Sequence, residues 1–298
     1  YKAKHLGKNT CQHYTEQLNQ SHLRKLKILS GIKEALRNNS LALHFQPKVK
    51  LENEEITSAE ALLRWVKNNP LQIQPQEFIP VIEATELVHE VGSWVIEEAC
   101  RTCKTWHEKG HSLTVAVNVS TAQFTRHSFS QFIEKTLDKY KLPAKFLEIE
   151  LTEHLLLHEN KTVKNQLQLI KKMGVSLAID DFGTGYSNLD YLTRFQVDTL
   201  KLDHSFVSRI CLSSNHLIIV TAIIKMAQVL GIKVTAEGIE QTDQKKQLVK
   251  LGCDFGQGYL WSKAVPDIDF QDILTKNIEK LQACAPQNKL NDTNSLTT

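Results

Sequence analysis

The stretch Gly174-Val175-Ser176-Leu177-Ala178-Ile179-Asp180-Asp181 sets the grammar of the chain. A glycine closes a helix in the left-handed conformation that side chains resist, a short apolar strand follows, and carboxylates stand where the strand ends. The same order recurs at Gly110 then Leu113 to Val117 then Asn118, and at Gly231 then Ile232 to Ala236 then Glu237. It recurs again at Gly252, before a strand that ends near Gln257. Four further apolar runs complete the set: Leu41 to Val49, Ile56 to Leu63, Phe146 to Leu151 and Val197 to Leu202. Eight strands separated by helical stretches predict a largely parallel sheet, and about 250 residues is the usual size of a (β/α)8 TIM-like barrel. An open doubly wound sheet would gather its ligand signature at one switch point, whereas here polar residues recur at strand after strand.

Outside this region the pattern changes. Residues 15–38 carry Leu18, Leu23, Leu26, Leu29, Ile32 and Leu36 at three- or four-residue spacings, which predicts an amphipathic helix with a narrow seam. Such a helix either caps the following domain or links it to a preceding one. Phe270 to Ala283 predicts a last helix, and the polar tail 285–298 reads as disordered. The barrel domain is thus expected over 39–284.

Composition excludes several classes. The 298 residues carry 36 Lys+Arg against 33 Asp+Glu, a net charge of +3, too even to announce a nucleic-acid polymer or a membrane face as partner. The most apolar helical run, Leu217 to Ile224, ends at Lys225, far short of the about 20 residues a membrane span needs. Six cysteines at 11, 100, 103, 211, 253 and 284 make no disulfide scaffold, so a reducing, cytoplasmic setting is the expectation. The first residue is Tyr1, which suggests a piece cut from a longer chain.

The chemistry concentrates at the strand ends. Glu60, Glu150, Asp180, Asp181 and Glu237 each follow apolar neighbours, with Asn118 and Lys201 at equivalent places. Active sites of such barrels lie at that end. Buried carboxylates left unpaired cost several kcal/mol or bind protons, and five at one rim repel one another. Five acids against one lysine leave four negative charges, which two divalent cations cancel. An all-oxygen donor set without His or Cys favours Mg²⁺ or Mn²⁺ over zinc. Two such ions suit in-line attack on a phosphoester. Other signals carry less. Cys100-Arg-Thr-Cys103 falls inside a helix with no second ligand pair, and His154 and His158 lack the Glu of a zincin motif and a third ligand. Gly183-Thr-Gly185-Tyr-Ser-Asn188 imitates a dinucleotide loop but follows an Asp pair that would repel a pyrophosphate. It reads instead as a flexible loop beside the metals.

These residues resemble the EAL-domain family of cyclic di-GMP phosphodiesterases. Glu60-Ala-Leu-Leu-Arg64-Trp65 is the family's signature, joined by Gln46-Pro47, Asn118-Val-Ser120, Glu150-Leu-Thr-Glu153 and Asp180-Asp181-Phe-Gly-Thr-Gly-Tyr-Ser187. Val197-Asp-Thr-Leu-Lys201-Leu-Asp203, Glu237-Gly-Ile-Glu240 and Gln257-Gly-Tyr259 follow in family order. The opening Tyr1-Lys-Ala-Lys4 and Gly7-Lys-Asn9 is similar to the end of a GGDEF (diguanylate cyclase-like) domain, making 1–14 its remnant and 15–38 a signalling helix.

The resemblance implies a barrel whose first strand runs antiparallel to the rest, and two Mg²⁺ or Mn²⁺ ions per active site. Glu60, Asn118, Glu150 and Asp180 would hold one ion, and Asp180 and Asp181 the other. Lys201 would orient the attacking water and Gln257 would lie near it. Glu237 is either general base or ligand, the ligand role being favoured because metal-activated water needs less help from a base. Gln46 and Arg64 would hold cyclic di-GMP, Arg64 through its phosphate, with Asp203 and Glu240 as lesser contacts. Glu153 would steady the loop after the Asp pair, which couples metal binding to dimerisation in this family. Ala264, Asn188 and Trp261 depart from the commoner Pro, Ser and Phe without removing a ligand. The implied activity is hydrolysis of cyclic di-GMP to linear pGpG, and the alternative is a silent receptor or interaction module. A homodimer and upstream GGDEF-like and sensory domains are the implied partners.

Overall fold

The computed structural model describes residues 16–69, 72–157, 161–183, 192 and 194–284. Helix α1 (Glu16–Arg37) precedes the antiparallel pair β1 (Leu41–Lys50) and β2 (Ile56–Trp65). Helices α2 (Pro75–Glu83) and α3 (Leu87–Glu108) lead to β3 (Thr114–Asn118), α4 (Thr121–Phe124) and α5 (Phe129–Tyr140). β4 (Leu147–Thr152), α6 (Glu153–Leu157), α7 (Lys161–Met173), β5 (Ser176–Phe182) and β6 (Thr199–Leu202) come next. The chain continues through α8 (His204–Val207), α9 (Ser214–Leu230), β7 (Lys233–Ala236), α10 (Thr242–Leu251) and β8 (Phe255–Gln257), and closes with β9 (Val265–Pro266) and α11 (Asp267–Cys284).

Strands β2 to β8 run parallel in chain order, and β1 closes the barrel by pairing antiparallel with both β2 and β8. The antiparallel first strand is as the family resemblance implied. β9, which the apolar pattern did not predict, adds two residues to the edge of β1 opposite His44 and Phe45. The remaining strands match their predicted spans to within a few residues at either end. Among the described residues no helix is long and apolar enough to cross a membrane.

Period-two alternation decides what each strand sends inward. On β4, Leu147, Ile149 and Leu151 are buried under the helices while Glu148 and Glu150 face the barrel axis. Register continues that inner stripe from strand to strand: Gln46 opposite Glu60, Asn118 opposite Glu150, and Lys201 opposite Thr235. The outer faces form an apolar core with the helices. On β1, Phe45 packs edge-on to Trp106 of α3 at 4.9 Å and lies near Phe270 of α11, and Trp106 Nε1 donates to Asp267 Oδ1 at 2.7 Å. The interior is polar and the exterior of the sheet is oily, so stability and chemistry occupy opposite faces of the same strands.

Helix α1 corrects the predicted seam. Its buried stripe is Ile28, Ile32 and Ala35, whereas Leu23 and Leu26 are about half exposed. The register is set by Gly31, where a Cβ would fall 2.4 Å from Trp65 Cη2, so only glycine lets the helix lie on the indole. Cys100 and Cys103 are both buried in α3, free of any disulfide, as packing predicts. The readings placed on residues 1–14, on His158, on 184–190 with Asn188, and on the tail lie outside the described residues.

Candidate active site

The strands deliver their polar residues toward the same end of the barrel, Gln46 and Glu60 from within β1 and β2 and the others near or just past the ends of their strands. Local sequence explains why β3, β6 and β8 stop there. After Asn118 ends β3, Ser120 caps α4, its hydroxyl accepting from Gln123 N while Gln123 reaches back to the Ser120 backbone. After Lys201 on β6, Asp203 Oδ1 accepts from Ser205 N at 3.0 Å and starts α8. After Gln257 ends β8, Gly258 passes so close to β7's exit that a Cβ would sit 2.1 Å from the Ile239 carbonyl oxygen. Side chains at these ends are thereby fixed by the start of the next element.

Lys201 organises the cluster. Its ammonium is 1% exposed and lies 2.6 Å from Glu150 Oε2, 2.8 Å from Glu237 Oε1, 3.1 Å from Asp180 Oδ1 and 3.6 Å from Glu60 Oε2. Glu60 accepts from Asn118 Nδ2 on one oxygen and from Gln257 Nε2 on the other, both at 2.6 Å. Gln257 Nε2 also reaches Gln46 Oε1 at 3.0 Å, and Gln46 Nε2 donates to the Ser262 carbonyl at 3.0 Å. Asp180, Asp181 and Glu237 bring one carboxylate oxygen each within 4.8 Å of one another. Asp181 takes a left-handed backbone, φ 54°, and is the exposed member of the three.

Seven of the predicted residues, Glu60, Asn118, Glu150, Asp180, Asp181, Lys201 and Glu237, therefore meet in one cluster, with Gln257 and Gln46 adjoining. Arg64 stands half-buried at the rim, its Nη1 donating to the Leu63 carbonyl at 2.9 Å and its charge near Glu60 and Tyr259. Glu153 is buried, and its Oε2 accepts from Gly183 N at 3.3 Å, where β5 gives way to the following loop. Asp203 lends its carboxylate to the α8 cap and lies near Asp181. Glu240 is exposed, and the structure does not bring it into the cluster.

The cluster's charge is balanced unevenly. Burial raises the Glu60 carboxyl, but the Lys201 charge and the hydrogen bonds from Gln257 and Asn118 outweigh it and hold the group below the ordinary range. For Glu150, burial wins over Lys201, and Glu60 and Asp180 push in the same direction, well above the usual value. Burial, with Asp180 and Glu60 beside it, lifts Glu237 to about 7. Burial, Asp180 and Asp203 raise Asp181 as well. One lysine is too few cations for five acids.

The donor set fits divalent metal. It is built of carboxylates and one amide, and Glu150 Oε1 and Gln257 Oε1 are buried acceptors without a hydrogen-bond partner. By contrast Cys100 and Cys103 have thiols pushed up to about 12 by burial, and no metal-binding group forms around them among the described residues. Beside the acids a cavity of about 290 Å³ opens between Asn118, Glu150, Asp180 and Asp181 on one side and the apolar Leu63, Ile79, Ile82, Val88 and Val91 on the other.

Polar residues inside the strands add to those at the strand ends. Lys48, Glu148 and Thr199 form a layer beneath the cluster, Lys48 Nζ 2.5 Å from Glu148 Oε1 and Thr199 Oγ1 donating to Glu148 Oε2 at 3.1 Å. The signal is in the sequence. Each lies two residues before or after a predicted site residue, hence on the same inward face.

A profile of the EAL domain matches residues 30–264. The chain is 37% identical over 274 residues to the signaling protein YkoW of Bacillus subtilis, covering 92% of this chain and 34% of that one. It is 36% identical over 292 residues to the cyclic di-GMP phosphodiesterase NbdA of Pseudomonas aeruginosa, covering 98% and 37%. Among solved structures, the PaMucR phosphodiesterase in complex with c-di-GMP superposes with a TM-score of 0.78 at 36% identity, over 82% of this chain and 99% of that one. The chain thus spans just over a third of the length of these two curated relatives.

Proposed function

This chain belongs to the EAL-domain family, and from that premise we propose that it is a metal-dependent phosphodiesterase opening cyclic di-GMP to linear pGpG. The observation that carries the reading is the Lys201 ammonium, buried among four carboxylates drawn from β2, β4, β5 and the residue that follows β7. A cluster so rich in acids stabilises nothing by itself; with Asp181 counted in, five ionised acids against one lysine leave four negative charges, which two dications match.

Glu60, Asn118, Glu150 and Asp180 would hold one Mg²⁺ or Mn²⁺, and Asp180 and Asp181 the second, with Glu237 joining as a ligand. When bound, the ions supply Lewis acidity and neutralise the phosphate. The chain's own residues do the rest. The three N–H groups of Lys201 are taken by carboxylates here; once metals engage those acids, the ammonium would turn a donor to the attacking water and fix its line of approach. The Gln257 carboxamide, tethered by Glu60 and Gln46, marks the inner limit of that water's position. Arg64 meets a substrate phosphate by charge-assisted bonds, Gln46 holds the nucleotide near the Ser262 carbonyl, and Asp203 edges the same side. The apolar wall of Ile79, Ile82 and Val88 offers a dry surface to a base. Glu153 anchors Gly183 and so the start of the loop that presents the Asp pair.

The test is turnover. Purified protein with Mg²⁺ or Mn²⁺ is expected to convert cyclic di-GMP to pGpG, resolved by chromatography. Binding without product under either ion would instead favour a receptor. A homodimer and an upstream GGDEF-like partner belong to the same proposal, and sedimentation of the purified chain tests the first of them.

A further inference from the structure

A lysine buried in a barrel must find a counter-charge, and Lys48 has two in reach. Its Nζ stands 2.5 Å from Glu148 Oε1 and 3.7 Å from Glu150 Oε1. Both acids project inward from β4, two residues apart, so the ammonium chooses between a lower and an upper carboxylate on one strand. The lower one prevails because Thr199 Oγ1 grips the other Glu148 oxygen at 3.1 Å and aims the group across the axis. The upper one keeps Oε2 on Lys201 at 2.6 Å, while its Oε1 is buried and receives no hydrogen bond.

We infer that Glu148 is a positioning residue of the metal site: by holding the Lys48 ammonium one layer down, it keeps an oxygen of Glu150 uncommitted for a dication. The inference rests on the reading of Glu150 as a ligand. It gives the Lys48–Glu148 pair a role that ion pairing alone does not, since a neutral pair of the same shape would serve the fold equally well. Removing only the acid frees the lysine to rise and compete with the metal. Removing both partners leaves no competitor.

The experiment is a Mn²⁺ titration of the substrate-free protein, read by the electron paramagnetic resonance of free Mn²⁺. Glu148→Gln is expected to weaken Mn²⁺ binding by about tenfold, as loss of a group supporting a ligand typically does. Lys48→Met combined with Glu148→Gln is expected to return it to within about threefold of the native value. Native-like binding by Glu148→Gln, or a double variant as weak as the single one, overturns the inference. Glu150→Gln separates the two readings: if it binds Mn²⁺ normally the ligand assignment fails, and if it binds weakly while Glu148→Gln binds normally only the positioning role fails. Should Glu148→Gln not fold, Thr199→Val keeps every charge while loosening Glu148, and binding weaker by about two- to threefold is expected. Unchanged binding there is equally fatal.

Discussion

Lys201 Nζ lies 2.8 Å from Glu237 Oε1 across the seam between β6 and β7, and the same ammonium touches Glu150, Asp180 and Glu60. In the metal-free protein this one cation holds a ring of acids together. Replacing it with methionine keeps the volume and removes the charge. Breaking a buried ionic cluster from one side costs about 3–5 kcal/mol, so Lys201→Met is expected to melt well below the native protein when metal-free. Mn²⁺ should recover part of that loss by supplying the missing charge, without restoring turnover. Equal melting temperatures for the two metal-free proteins would show that the lysine does not carry this load.

Glu60 accepts from Asn118 and Gln257 at 2.6 Å each, so it both orders the site and offers charge to a metal. Glu60→Ala strands two buried donors and removes a ligand. Turnover is expected to disappear, and the rise in melting temperature that Mn²⁺ gives the native protein should shrink with it. For scale, a ligand at a hundred times its dissociation constant stabilises the native state by about 2.7 kcal/mol. Rates near native in this variant would remove Glu60 from the ligand set.

How much of this was legible beforehand follows from which rules act locally. Strand ends are readable where the last polar residue of a strand stands two before a helix cap, as Asn118 does before Ser120 and Lys201 before Asp203. The antiparallel course of β1 was not readable from periodicity, since an inward stripe of Gln46 and Lys48 looks the same whichever way the strand runs. The stripe of α1 was misjudged because leucine spacing cannot report that Gly31 must face Trp65, which turns Leu23 and Leu26 outward. The layer of Lys48, Glu148 and Thr199 is less legible for a different reason: these residues lie inside the strands, where the period of two alone, and no strand end, marks them.

Cys103 Sγ reaches the Leu113 carbonyl at 3.4 Å, and Cys100 is equally buried, so this pair serves packing. Burial pushes both thiols, and that of Cys253, up to about 12, leaving them protonated and unreactive at neutral pH. Of Cys100, Cys103, Cys211 and Cys253, Cys211 alone is exposed. Iodoacetamide on the native protein is expected to modify Cys211 and spare Cys100, Cys103 and Cys253. The Cys100→Ala, Cys103→Ala protein should keep native Mn²⁺ content and turnover while losing about 1–2 kcal/mol of stability to the cavities left behind. A large loss of bound metal would make the Cys-x-x-Cys pair a site after all.

At the opposite end of the barrel from the acids, Glu54 in the β1–β2 turn bonds Lys245 of α10 and, at 2.5 Å, Lys280 of α11. Asn277 ties the same turn to α11, donating to the Glu54 carbonyl at 2.8 Å. The hydrogen bond from Lys245, then that from Lys280, holds the Glu54 carboxyl down at about 2 against an ordinary 4.5. A depressed carboxylate stabilises the fold fully above its unfolded value, and that contribution is lost as pH falls through the folded one. The window therefore runs from about 4.5 down to about 2. Because the group is partly solvated, screening reduces its worth to about 1 kcal/mol. Metal-free native protein should exceed Glu54→Gln by that amount from neutral pH to about pH 5 in urea unfolding, and the gap should close in more acidic buffer. A gap that widened on acidification would reverse the sign of the effect and remove the lysine clamp as its cause.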